Sequence, residues 1–447
     1  MSASAGPSRT AAHGHAPSPV GTHRRRTGRR RYVRPLLGAA LAAALAAGIV
    51  PASAQQAHPG MVSERPVAWT PHIQDGTVRA ITVVGDTVVV GGTFTAVTDA
   101  TRTAHYDREY LLAFGLRDGQ VRAFHPRLDG PVYALAPGPD GTVYAGGAFR
   151  TVNGMRQRSL TQLRLDTGAR VPAFRGALRW GDVRSMAVHG GRLYIGGYFV
   201  EVGGVSRTAL ARLDARTGAV DPGFDARLTR GDGLRVKVDG LALSPDGRKL
   251  VAVGALTHAA GRARARLVMV DTSVNPARIS GWYTDAYRPA CQSAFDTYLR
   301  GVDFAPDGRY FVVVTTGHNT HPRLLCNTAA RFEATGTGRH RPTWVNHTGG
   351  NSLYAVAITG AAVYVGGHQR WMDNPYGYKA AGPGAVPREG IAALHPVTGR
   401  ALSWNPGRSR GVGLRAFAAT PYGLFVGSDT DRLAREYHGK IGMFPLG

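Results

Sequence analysis

The 447-residue chain holds only two cysteines, four lysines and 29 acidic residues. After residue 50 it also lacks any apolar run long enough to cross a bilayer, which excludes a helical membrane span beyond that point. Cys291 and Cys326 come with no His-based partner motif, so a thiol nucleophile is not expected; in an exported chain an isolated pair reads as a disulfide. Acid is scarce enough that the formal charge is +25, and setting aside the eight arginines of residues 1–54, which include no acidic group, leaves about +17. Arginine supplies nearly all of this excess. It reflects either a G+C-rich coding sequence or an affinity for anionic polymers such as teichoic acid and acidic glycans. No module of interleaved aromatic and basic residues is present, so nucleic acid is not an expected partner. Neither G-x-S-x-G nor a phosphate-binding glycine loop occurs in a strand-to-helix setting. What is abundant is glycine, with 60 residues, beside a hydrophobic content of 43%. That mixture suits many short strands and turns rather than helices.

The first 54 residues read as an export signal. A basic stretch, RRRTGRRRYVRP, leads into LLGAALAAALAAGIV and then PASAQQ, which places an A-x-A cleavage site after Ala54. Arg29 to Arg34 also resembles the twin-arginine export motif, although arginine-rich leaders are common in ordinary export. No cysteine near the cleavage site suggests a lipid anchor. Residues 55–66 are expected to be a short linker and 67–447 the folded domain. The expected location is the extracellular medium or a loose association with the cell surface.

From residue 67 the chain repeats. An aromatic residue recurs in one local setting at Trp69, Phe124, Phe174, Phe224, Trp282, Trp344 and Trp404, spaced by roughly 50 to 62 residues. Three other segments keep step with it. A first strand runs as VRAITV from Val78, VYALAP from Val132, and so on to LRAFAA from Leu414. A turn such as PDGT or HGGR follows, then a second strand ending in small residues (VVVGGTF, VYAGGAF, LYIGGYF), then a third (LLAFGL, LTQLRL, ALARLD). The aromatic segment is the expected fourth strand. Trp69 precedes any complete repeat, and the repeat from Leu414 has no copy of its own. This permutation predicts an all-β, seven-bladed β-propeller, four antiparallel strands per blade, in which the Trp69 segment completes the last blade.

The VYxGGxF, LAxLDxxTG and xFxP elements, clearest from Val132 to Phe224, resemble the delta-60 repeat of exported bacterial β-propellers. The resemblance covers most of the chain from Val67 and is weakest in the repeats beginning at Val238 and Leu299. It implies a propeller and leaves activity open, because propellers host hydrolases, lyases, dehydrogenases and binding modules.

Function is expected where the repeat is interrupted. From the fifth repeat onward the connections become long and irregular, and the blade register puts them on one face. The candidate ligand-binding residues there are His318, His321, His368, Arg370, Trp371, Asp373, Asp429, Asp431 and His438, with His347 and Arg432 nearby. An aromatic platform with a few charged groups suits a polysaccharide, cell-wall polymer, peptide or protein partner. No cofactor is expected. Asp429 and Asp431 offer hard oxygens to Ca2+ but lack a twelve-residue ligand loop, and His318, His321 and His368 offer nitrogens to zinc. The competing expectation is a carbohydrate-active hydrolase or lyase using Asp373, Asp429, Asp431, Glu436 or His438 as acid and base. A quinone-dependent dehydrogenase is a third, without the regular Trp-rich docking repeats. Cys291 and Cys326, which flank one blade's first and second strands, are expected to pair, and a monomer is expected.

Overall fold

A computed structural model describes residues 56–291, 295–317 and 321–447. The proposed signal and its cleavage site lie outside the described residues, and so does His318. All regular structure within them is β, with no helix. Seven antiparallel sheets share one plan, in which the first strand pairs with the second and the second with the third. Their first strands are Val78–Val84, Val132–Pro137, Asp182–His189, Lys237–Leu243, Leu299–Phe304, Leu353–Ile358 and Ala416–Thr420. The sheets are numbered one to seven in that order.

The hairpins follow from their turn residues. Asp140 and Gly141, between the first two strands of the second sheet, have φ of 54° and 69°, the paired positive values that a two-residue turn needs to match strand twist. The second strands are buried on both faces, which is why they read as unbroken apolar runs. In the first sheet Val88 and Val90 enter an apolar cluster shared with the seventh sheet, while Val89 enters the one shared with the second. Among the described residues seven such clusters occur, one between each sheet and the next, including the seventh and the first.

The small residues closing the second strands have a packing cause. A Cβ on Gly91 would lie 2.6 Å from Cγ1 of Val132, the opening residue of the next sheet; Gly146 stands in the same relation to Val183 and Gly196 to Val238. Gly427 of the seventh sheet receives Val78 of the first in the same way, at 2.3 Å. The first strands of the first, second, third, fourth and seventh sheets thus dock into a notch that only glycine leaves open, while Val253 and Val314 hold the equivalent position ahead of the fifth and sixth.

The fourth segment is more variable than the repeat suggests. It is a strand in the fourth sheet, at Arg278–Ile279, and in the fifth, at Trp344–His347. In the first, second, third and sixth sheets it is a single bridge, such as Phe114 with Val121 or Leu213 with Val220. Pro126, Pro172, Pro222 and Pro406 stand within two residues of the aromatic and cannot donate to a ladder, but Pro342 stands equally near Trp344 in the fifth sheet, where the full strand forms. In the shortened segments the aromatic is held by packing. Phe174 meets Tyr144 at 5.3 Å between ring centroids, Phe224 meets Tyr194 at 5.8 Å and Trp404 meets Tyr364 at 5.2 Å. Trp69 takes the corresponding place against Phe425 of the seventh sheet, at 6.3 Å. Trp282 departs from the series: it packs on Phe311 of the fifth sheet and pairs in parallel with Gly338.

Residues 56–73 run beside the seventh sheet. Val62 bridges Leu446, and the amides of Ser63 and Val67 donate to the carbonyls of Pro445 and Met443 at 2.7 and 2.9 Å. The segment expected to be a linker is itself packed: Val62 is buried, and the His58 amide donates to the Thr359 carbonyl at 2.9 Å.

Candidate functional site

In the second, third and fourth sheets the second and third strands are connected through a small hairpin whose tip carries Asn153-Gly154, Gly203-Gly204 or Ala260-Gly261, all with positive φ. The seventh sheet builds the same hairpin from Arg432–Leu433 and Glu436–Tyr437. Its tip is Ala434-Arg435, with φ of 48° and 68°. Two residues with a Cβ in the left-handed region are strained by about 1 kcal/mol or more each. In the sixth sheet the connection is long. Trp371–Met372 pairs with Val386–Pro387, and Asn374 ties the intervening loop together by donating to the Ala380 carbonyl and accepting from the Gly382 amide.

Between these two connections lies a groove of about 880 Å³, lined by Arg370, Trp371, Arg432 and Arg435 together with Glu64, Arg65, Glu389 and Arg408. Four exposed arginines therefore face two glutamates, with the buried Arg408 behind them. Arg370 sits 5.7 Å from the Trp371 ring centre, a cation–π contact that orients both. Among the described residues Arg65, Arg370, Arg432 and Arg435 have no carboxylate partner. A cavity of about 490 Å³ between the fourth and fifth sheets contrasts with it. There three aspartates offset five arginines: Arg230 pairs with Asp232 and Asp296, and Arg339 with Asp285 at 2.8 Å, while Arg264 and Arg266 donate to main-chain carbonyls.

The expected acids are placed apart and spent on loops. Asp429 accepts from Arg408 Nη2 at 3.1 Å, from the Val412 amide at 2.5 Å and from the Gly413 amide at 3.0 Å. The Arg408 side chain is fully buried, which draws its pKa down to about 10 and leaves it charged at neutral pH. Asp373 is buried, accepts from Asn346 Nδ2 at 2.6 Å and from the Ala401 amide at 3.1 Å, and joins the fifth sheet to the sixth. Asp431 meets Lys440 Nζ at 2.6 Å with its side chain half exposed. The early sheets use carboxylates in the same way, Asp129 accepting from the amides of Arg150 and Thr151.

The histidines are dispersed. His368 shares its Nδ1 between the Tyr354 hydroxyl and the Val412 carbonyl, each at 3.2 Å, and burial pushes its pKa down. His438 is buried, lies 3.6 Å from a Glu436 oxygen and is likewise pushed down by burial. Burial alone takes His347 down to about 4. His321 is exposed, its Nδ1 accepting from the Arg323 amide at 3.2 Å. Among the described residues no group of three His, Cys, Asp or Glu is arranged to hold a metal ion.

Of the residues expected from sequence, Arg370, Trp371 and Arg432 come together in the groove. His368 and Asp429 meet one loop, 408–413, behind it, while Asp373, His321 and His438 lie in separate packing environments. Arg408 and Arg435 were missed. Arg435 had a readable signal: it stands at a hairpin tip where the second, third and fourth sheets place glycine. Cys291 and Cys326 form a disulfide, buried among Tyr287, Tyr298 and Phe332.

A family model described as a domain of unknown function (DUF5122) beta-propeller matches residues 191–224, from the second strand of the third sheet through Phe224. That stretch is similar to a β-propeller repeat. No curated protein matches the chain. Among solved structures it is similar to the computationally designed Ika8 protein, at 12% identity over 83% of this chain and 97% of that one, with a TM-score of 0.44.

Proposed function

We propose that this chain is an exported seven-bladed β-propeller of the delta-60 type that binds an acidic extracellular or cell-surface glycan in the groove between its sixth and seventh blades. The blades are the seven sheets, closed by the Trp69 segment beside the last one, and residues 1–54 are the export signal. The observation that carries the ligand is the groove itself, where a Trp371 platform lies among arginines that no carboxylate neutralises. Sugar rings stack on aromatic faces, and guanidinium forks bind carboxylates and sulfates in two-point fashion. The strained Ala434-Arg435 tip points the same way, because a backbone conformation that glycine would relieve is retained where it presents Arg435 to the groove. A hydrolase gains no comparable support, since Asp373 and Asp429 already hold loop amides and neighbouring side chains.

The test is retention of purified protein on immobilised polygalacturonate against neutral dextran at low ionic strength. Binding to the acidic polymer alone is expected, eluting as salt rises, and falling about 10-fold or more in Trp371→Ala and in Arg370→Ala, a loss typical of anchor residues. Equal retention of both variants, or no preference for the acidic matrix, would overturn the assignment.

A further inference from the structure

The first strands carry a second arrangement, distinct from the groove. In six of the seven sheets the ladder slips by one residue just after the opening apolar position, and the residues skipped are Arg79, Tyr133, Arg184, Asp239, Arg300 and Tyr354. Arg415, just ahead of Ala416, occupies the seventh place. A bulge re-aims the side chain it releases. Each of these residues stands two positions before one that lines a cavity of about 500 Å³ formed by the first strands of all seven sheets, as with Ile81, Leu135 and Phe417. The contacts between them run from sheet to sheet. Arg415 lies 3.7 Å from the Tyr354 ring centre, Arg184 donates to Asp239 at 3.1 Å, and Tyr133 feels the charges of both Arg79 and Arg184.

The charge in this ring is unevenly balanced. Arg184 is neutralised by Asp182 at 2.8 Å and by Asp239. Among the described residues Arg79, Arg300 and Arg415 have no ion pair and no side-chain hydrogen bond, and the Nε atoms of Arg79 and Arg415 are buried without an acceptor. Arg79 and Arg300 both lie within electrostatic reach of Arg415, and burial together with their charges lowers its pKa. The nearby carboxylate, Asp429, is occupied by Arg408 and two amides. The charges of Arg79 and Arg300 each repel that of Arg415, and unmet buried donors add to the cost. A multiply charged anion relieves both at once, because each guanidinium offers a fork to its oxygens.

We infer that Arg79, Arg300 and Arg415, beside Tyr133 and Tyr354, form a binding site for a phosphate-type oxyanion at one end of the axial cavity. The site uses none of the groove residues, so either reading stands or falls alone.

The experiment is calorimetric titration of the whole protein with inorganic pyrophosphate at pH 7 and low salt, beside a thermal melt with and without it. Saturable one-to-one binding is expected, weakened about 10-fold or more by Arg79→Gln or Arg300→Gln, the loss of one charge-assisted hydrogen bond. Arg370→Ala leaves it unchanged. Without anion Arg79→Gln melts at or above the wild-type temperature because repulsion is relieved, and pyrophosphate raises the melting temperature of the wild type more than that of the variant. A glycerophosphate oligomer forms the second arm: competition by it assigns the site to a phosphorylated polymer, and its failure to compete assigns a free anion. Absence of saturable binding, equal affinity in Arg79→Gln, or loss of binding in Arg370→Ala overturns the proposal.

Discussion

The first three sheets and the last three are built on one plan and fastened differently. In the second and third sheets the outer connection closes on itself through main-chain turns with glycine at the tip, and the carboxylates that clamp loops, such as Asp129, sit at the surface. In the later sheets longer connections are held by side-chain devices: the Cys291–Cys326 disulfide, the buried Asp373–Asn346 contact and the Asp429–Arg408 pair. A tight turn needs no neighbour and offers none a surface. A long connection needs fastening from outside its own strand pair, and the space it spans becomes a groove.

If that contrast is right, breaking a late fastener should cost far more than breaking its early counterpart. The largest effect expected is from the Cys291→Ser, Cys326→Ser double variant. The cysteines are 35 residues apart, and closure of a loop of that size is worth about 4 kcal/mol in the chain-entropy model. The urea midpoint of the oxidised wild type against the variant measures it. Next comes Asp429→Asn, which leaves the fully buried Arg408 guanidinium without its counter-charge and should cost about 3 kcal/mol. Asp129→Asn, at an exposed loop, should cost about 1 kcal/mol or less by the same denaturation series. Similar losses for the two would erase the distinction.

A smaller effect concerns pH. Folded His347 refuses a proton until about pH 4, whereas the unfolded chain takes one up near the ordinary 6.5. The unfolded state therefore binds more protons between those values, so this contribution to stability is whole above pH 6.5 and falls as pH drops toward 4. His368 and His438 are depressed in the same direction. Hydrogen exchange should show residues 344–374 losing protection over this window before residues 132–164, and His347→Gln should reduce the difference. The smallest effect is at the hairpin tips. Arg435→Gly should stabilise by about 1 kcal/mol by removing left-handed strain while weakening retention on polygalacturonate. The reciprocal Gly204→Arg should destabilise by a similar amount and leave retention unchanged.

The repeat was legible because packing imposes it locally. The GG pairs mark where the next sheet's opening residue docks, and the out-of-phase Trp69 segment is expected beside the last repeat, where Trp69 meets Phe425. The pairing of Cys291 with Cys326 follows from their places in one repeat. The reduced fourth segments were not legible, since Pro126, Pro172, Pro222 and Pro406 have a counterpart in Pro342 beside the fully formed strand at Trp344–His347. Trp282 was not legible: its aromatic character fits the series, but its packing on Phe311 depends on a loop that only the folded neighbour supplies. The candidate site divides in the same way. Arg370 and Trp371 are conspicuous in an irregular loop, yet nothing in the string of residues separates Asp373, consumed by Asn346, from a carboxylate free to meet a ligand.

By itself, then, the sequence determined the β class, the repeat and its phase, because alternation, turns and glycine notches are written within one unit and repeated. Tertiary structure decided which charges stay unpaired. Arg408 finds Asp429 and is neutralised, whereas Arg79 and Arg415, brought from opposite ends of the chain to neighbouring sheets, come within electrostatic reach of each other and form no ion pair among the described residues. Charge pairing depends on distances of a few ångströms between side chains of different sheets, and no local pattern encodes those distances.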